Sequence, residues 1–235
     1  MKRRAFGAFH LLLLSGCWLG LSQRANALQL SDITNAEASQ GLKVALEKGA
    51  IAAVKGLGQP NGFLGNDKVK IHLPGHLQGA ANVLRGLGQG ARFDELIAAM
   101  NHAAEAAEPL ARDRLVGAVK GMNVQDAKSI LASGETALTQ FFADKTRQPL
   151  AQQCLPVVIK TTARVNLAEK YNQVAGKAAS MGLIKAEQAT IEQYVTGKTL
   201  VGLYFMIGEV EKRIRQDPVG TGSTLLKEVF GALKP

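Results

Sequence analysis

Apolar residues recur at helical spacing along almost the whole chain. Leu42, Leu46, Ala50, Val54 and Leu57 fall on one helical stripe, and Thr34-Asn35-Ala36-Glu37 ahead of them has the form of a capping box. In such a box the Thr34 hydroxyl takes the amide of Glu37 while the Glu37 carboxylate reaches back. Gly56, Gly58 and Pro60 mark the stop, so the pattern predicts a helix over about 35–56. Shorter helical units follow: Leu77–Leu87 ending at Gly88, Phe93–Ala107 interrupted near Pro109, Leu110–Val119 ending at Gly121, and Val124–Leu131 between Asn123 and Gly134. A longer helical region is predicted over about 136–165, with bends at Pro149 and Pro156, and another over Ala168–Met181 stopped by Gly182. The longest predicted helix covers about 186–216, and its middle, Thr199 to Ile207, is apolar on all sides, as suits a helix through the centre of a domain. Asp217-Pro218 closes it, and Ser223 or Thr224 can cap a last helix to about 232.

One segment breaks the helical rhythm. From Lys68 to Leu73 the pattern alternates, with Val69, Ile71 and Leu73 on one face and Lys68, Lys70 and His72 on the other. Gly62-Phe63-Leu64 precedes it across the turn-forming run Gly65-Asn66-Asp67, so a short hairpin or extended loop near residues 62–73 is expected, and no larger sheet. The fold class is therefore all-α: a single multi-helix domain over 28–235, with at most that one short β-hairpin. A basic residue followed by glycine recurs at Lys55-Gly56, Arg85-Gly86 and Lys120-Gly121. This is a helix-stop device, in which the cation suits the negative end of the helix dipole, and the flanking residues show no repeat period.

Charge changes the picture only at the N-terminus. The 235 residues include 28 Lys and Arg against 19 Asp and Glu, a net +9. Lys2, Arg3 and Arg4 precede an apolar stretch from Ala5 to Leu21, and Ala25-Asn26-Ala27 then offers a cleavage site. Residues 1–27 read as a signal peptide. Its removal leaves 24 basic against 19 acidic residues, a charge of +5. A lipobox, Leu14-Ser15-Gly16-Cys17, competes with that site: cleavage before Cys17 would leave its thiol to carry a lipid, although Trp18, Leu19 and Leu21 prolong the apolar run past it. Both schemes export the protein from a bacterium. It is expected in the periplasm, soluble or anchored to the outer membrane through Cys17.

The candidate chemistries are each outweighed by a plainer reading. After cleavage at Ala27 only Cys154 remains, in an apolar context that suits a small core residue rather than a nucleophile. Gly86-x-Gly88-x-Gly90 follows a helix and lacks the βαβ setting of a dinucleotide loop, and Gly220-Thr221-Gly222-Ser223 lacks a P-loop lysine. His72 and His76 are separated by Pro74. His102 and Glu105 share a helical face, but a di-iron bundle uses the opposite order, in two copies. No metal and no cofactor are therefore expected. Glu105, Glu108 and Asp113 could form an acid–base group, with Arg112 and Arg114 close by. Glu209 with Arg213, and Glu211 with Arg215, are favourable i,i+4 pairs that place Lys212, Arg213 and Arg215 on a mixed-charge exposed helix end rather than on a phosphate-binding stripe. Nucleic acid is disfavoured because the mature chain holds nine aromatics, all Phe or Tyr, with no basic–aromatic alternation.

Several stretches together resemble a family of exported bacterial proteins known as domain of unknown function 4197. They are Leu30-Ser31-Asp32 through Gly41-Leu42-Lys43, Asn66-Asp67-Lys68-Val69-Lys70-Ile71-His72-Leu73-Pro74, Met122 through Lys128, Tyr171-Asn172-Gln173, Glu192-Gln193-Tyr194-Val195-Thr196, and Lys212 through Pro218. Two positions depart from the family pattern: Val201, where relatives often carry an aspartate, and Cys154, where an apolar residue is usual. The resemblance implies an all-helical fold and brings no activity or site residues with it. The leading functional expectation is a non-enzymatic envelope protein that holds a protein partner or a small apolar ligand between helices, using abundant Ala and Gly to pack closely or to leave a groove. The alternative is a periplasmic enzyme drawing acid–base groups from Glu105, Glu108, Asp113, Tyr171 and Tyr194.

Overall fold

The computed structural model describes residues 29–88, 90–125, 127–164, 166–182 and 189–233. The expected signal peptide over residues 1–27, with Cys17 in it, lies outside the described residues. Eight α-helices account for most of the chain, and no strand occurs among the described residues: α1 Asn35–Leu57, α2 Gly75–Gly86, α3 Ala91–Gly121, α4 Ala127–Ala132, α5 Ala137–Thr162, α6 Asn166–Ser180, α7 Ile191–Gln216 and α8 Thr224–Gly231. The four long helices α1, α3, α5 and α7 pack on one another around the core, with α4 and α8 closing one end against α1. The capping box of α1 is complete: Glu37 N donates to Thr34 Oγ1 at 3.2 Å and Thr34 N to Glu37 Oε2 at 2.8 Å. Thr190 and Ser223 cap α7 and α8 through the hydroxyl bond alone, accepting from Gln193 N and Leu226 N.

Prolines interrupt less than the sequence suggests. Pro109 lies inside one continuous α3, and Pro149 and Pro156 lie inside α5. A buried proline would strand a carbonyl four residues back without a donor. Pro149 and Pro156 are on the exposed face, together with Lys145 and Gln152, so the freed carbonyls there meet water.

Of the two forms expected for residues 62–73, hairpin or extended loop, the segment takes the loop, and it borrows its pairing from a helix. The alternation is real, since Val69, Ile71 and Leu73 are buried while Lys68 and His72 are exposed. The partner is a side chain on α3: Ile71 N donates to Asn101 Oδ1 at 2.8 Å, and Asn101 Nδ2 donates to Ile71 O at 2.9 Å. One amide thus makes the pair of bonds that a neighbouring strand would make. One turn further along α3, Glu105 Oε1 accepts from Phe63 N at 3.0 Å and from Leu64 N at 3.1 Å. Phe63, fully buried, is thereby seated against α7, where a Cβ at Gly202 would come within 2.7 Å of the Phe63 ring.

The middle of α7 also differs from expectation. It is buried on one side, through Leu200, Leu203, Tyr204 and Ile207, but Val201 and Phe205 emerge at 53% and 39% exposure. Its C-terminal end is less exposed than the charge pattern implies. Glu211 accepts from Thr139 N at 2.8 Å, Thr139 Oγ1 at 2.7 Å and Leu138 N at 3.3 Å, which satisfies amides at the start of α5. Its ion pair with Arg215 is buried, and Arg215 in turn donates to Leu131 O at 2.8 Å, in the last turn of α4. Arg213 bonds to the Glu209 carbonyl, whereas the Glu209 carboxylate pairs with Lys212 and Lys68.

Candidate functional groove between α5 and α7

Three contacts fix how α5 and α7 run. Thr139 meets Glu211, the Thr146 hydroxyl lies 2.6 Å from the Tyr204 hydroxyl, and Thr162 Oγ1 donates to Glu192 at 3.1 Å. Ascending positions on α5 face descending positions on α7, so the helices are antiparallel. Outside this line of contacts the two helices diverge enough to leave a groove.

The groove has two lobes that share Arg147. The larger, of about 420 Å³, has a predominantly apolar wall and lies between Ala151 and Leu155 of α5 and Thr196, Gly197 and Leu200 of α7. The smaller, of about 280 Å³, runs past Ala143, Tyr204 and Phe205 towards Lys212. Two features mark the larger lobe. Gly197 sits in mid-helix with no atom within 4 Å of where a Cβ would be, while Gly202 and Gly208 on the same helix are packed against Phe63 and Thr136. Close packing thus accounts for two of these glycines and leaves Gly197 to keep the groove open. Thr196 is 5% exposed, and its hydroxyl has no hydrogen-bond partner, although Thr146, Thr162 and Thr199 all donate to the carbonyl four residues back. Two other clefts, one of about 480 Å³ beside Pro109 and one of about 380 Å³ between α3 and α5, are lined by charged residues including Arg112, Asp113 and Arg114.

The residues considered for acid–base work fall in separate places. Glu105 is committed to the 59–73 loop. Burial alone would raise its carboxyl, but the His102 ring, 2.9 Å away, and the amides of Leu64 and Phe63 hold it below the usual value. Glu108, 1% exposed, has both oxygens unpartnered, and burial pushes its carboxyl well above the ordinary glutamate value, which favours the protonated form. Cys154 of α5 and Tyr204 of α7 lie within its electrostatic reach, and burial raises each to about 12. Cys154 and Tyr204 are neutral at neutral pH, and Cys154 has the buried core placement that its apolar context suggests. Asp113 is exposed. Tyr171 and Tyr194 lie near each other at the junction of α6 and α7. Burial raises Tyr171 to about 12 and also raises Tyr194, whose hydroxyl donates to His72 O at 3.0 Å.

The remaining motifs are structural. His72 lies in the loop ahead of Pro74 and His76 in the first turn of α2, and no group of three metal-ligating side chains occurs among the described residues. Gly86 ends α2, Gly88 turns with φ +74°, and Gly90 precedes α3. In the 220–223 segment Gly220 N donates to Asp217 at 2.9 Å and Ser223 caps α8. The amides of Gly220, Gly222 and Ser223 are bonded within residues 217–223. No helix among the described residues is long and apolar enough to cross a membrane.

The family model for a protein of unknown function, DUF4197, matches residues 32–231, which embraces every helix above. The chain belongs to the DUF4197 family. The DUF4197 motif residues named from the sequence hold the fold together here: Ile71 meets Asn101, and Asn172 donates to Glu192 at 2.8 Å and accepts from Ile191 N at 2.7 Å. No curated protein and no solved structure matches this DUF4197 chain. The groove was missed in the sequence because neither helix encodes it alone. The one local signal was Gly197, inside a helical pattern and without a turn to justify it.

Proposed function

We propose that this is an exported, non-enzymatic protein of the bacterial envelope, and that it binds a small apolar ligand in the groove between α5 and α7. Export rests on the basic, apolar and small-residue succession of residues 1–27. The binding role rests chiefly on Gly197, a glycine whose missing side chain leaves open an apolar lobe of ligand-pocket size, where roughly 300–1,000 Å³ is usual. A non-enzymatic reading is supported by the dispersal of Glu105, Glu108, Asp113, Tyr171 and Tyr194, none of which lines this lobe.

The test is a titration with N-phenyl-1-naphthylamine, whose fluorescence rises in apolar surroundings, on wild type and Gly197→Leu. The groove reading expects saturable one-site binding by wild type and its loss in the variant, with the helical circular dichroism of the two proteins unchanged. Equal binding by both proteins, or by neither, refutes it.

A further inference from the structure

The cations beside the groove differ in what they are already doing. Lys212, at the far end of the smaller lobe, is 3.3 Å from Glu209, which also holds Lys68 at 3.5 Å. Arg147 lines both lobes and takes part in none of the ion pairs found among the described residues. Its guanidinium instead lies 4.9 Å from the centre of the Tyr204 ring. That ring is held in turn by the 2.6 Å contact between the Tyr204 and Thr146 hydroxyls. A stacked guanidinium keeps its fork of donors free and loses little rotamer freedom when an anion arrives. The groove therefore offers a pre-positioned cation at the mouth of an apolar lobe, with no second uncommitted cation among the described residues that line it.

From this arrangement, and resting on the groove reading above, we infer that the ligand is a single-chain amphiphile with one negative charge: a fatty carboxylate, its head on Arg147 and its hydrocarbon along Ala151, Leu155, Gly197 and Leu200. Charge complementarity selects the head. A lone arginine matches the charge and the two-oxygen geometry of a carboxylate, whereas a phosphate monoester, close to doubly charged, calls for a second cation. The shape of the groove selects the tail. From Arg147 to Leu155 is eight residues of helix, about 12 Å of lobe at 1.5 Å per residue, and its width is that of one seam between two helices. A single medium-length chain fits this seam lengthwise.

The test uses the protein purified from the envelope fraction, stripped of bound lipid, and calorimetric titration with dodecanoate, 1-dodecanol and dodecyltrimethylammonium below their micelle concentrations. Dodecanoate is expected to bind about tenfold more tightly than the alcohol, the increment of one charge-assisted contact at a partly exposed site, and the cation more weakly than either. Arg147→Gln is expected to abolish the preference for carboxylate over alcohol. Gly197→Leu is expected to lose both ligands. Equal affinity for carboxylate and alcohol, or a carboxylate preference that survives Arg147→Gln, overturns the fatty carboxylate and leaves the apolar groove standing. Failure of all three probes to bind wild type, or undiminished binding in Gly197→Leu, overturns the groove itself.

Discussion

Glu211 of α7 takes both the amide and the hydroxyl of Thr139, at 2.8 and 2.7 Å, and so caps a helix that it does not belong to. The N-cap position of α5, Thr136, makes no side-chain cap bond of its own. With Arg215 turned towards the end of α4 and lying 5.5 Å from the centre of the Phe230 ring in α8, this ion pair ties four helices together. Glu211→Ala leaves a largely buried arginine without its partner and is expected to cost about 3–5 kcal/mol, the range for breaking a buried pair from one side. Urea denaturation of the variant against wild type measures it.

Glu108 is the opposite case, a buried acid with nothing to bind. Its carboxyl titrates above the unfolded value, so the native state holds a proton that the unfolded chain has released. Stability therefore falls as pH rises above the ordinary glutamate range of about 4.5, and the loss ends only once the native carboxyl has itself ionised. Glu108→Met fills a similar volume without a polar atom. It is expected to be more stable than wild type at pH 8 by about 1–3 kcal/mol, the usual penalty of an unsatisfied buried group. Melting temperatures from pH 5 to 9 should show a flatter profile for the variant.

Glu105 has the reverse sign. Its carboxyl lies below the ordinary value, so the stability it contributes is present above the unfolded pKa and is lost as pH falls through the native one. Because its oxygen holds the Phe63 and Leu64 amides, acid that protonates it should lower the hydrogen-exchange protection of those two amides, measured against their intrinsic rates at the same pH, before the bundle unfolds. Glu105→Gln, which keeps an acceptor but no charge, should show fast exchange there at neutral pH as well.

The same loop shows what the sequence could and could not say. Alternation at Val69, Ile71 and Leu73 correctly reported which side of the segment is buried, because burial period is a local property. That the other half of the ladder is a single amide, Asn101 on a helix thirty residues later, is tertiary information with no periodic trace. The capping box at Thr34 was readable for the converse reason: both of its bonds lie within four residues. Pro109 misled because its local cost was outweighed by packing along α3, where Gly58 approaches the proline ring. The groove was hidden because it is a space between α5 and α7, and the sequence specifies each face without stating how far apart they stand. Asn101→Asp keeps the acceptor for Ile71 N and loses the donor for Ile71 O, so it is expected to destabilise by about 1–3 kcal/mol, and Asn101→Leu by more. Chemical denaturation ranks the two.

Gly197 and Gly202 lie five residues apart on α7 and should respond oppositely to alanine. Nothing stands within 4 Å of a Cβ at Gly197, so Gly197→Ala is expected to stabilise by about 0.5–1 kcal/mol through helix propensity alone. At Gly202 the new methyl meets the Phe63 ring at 2.7 Å, and Gly202→Ala should destabilise by about 1–3 kcal/mol as an overpacked core does. Thermal unfolding of both variants checks the signs.

The most direct test of the ligand-binding account is native mass spectrometry of the protein purified from the cells that make it, beside Gly197→Leu made in the same cells. The account expects wild type to carry a small-molecule adduct that is lost on denaturation and is missing from the variant. A bare mass for wild type, or an adduct that survives unchanged in Gly197→Leu, would contradict it.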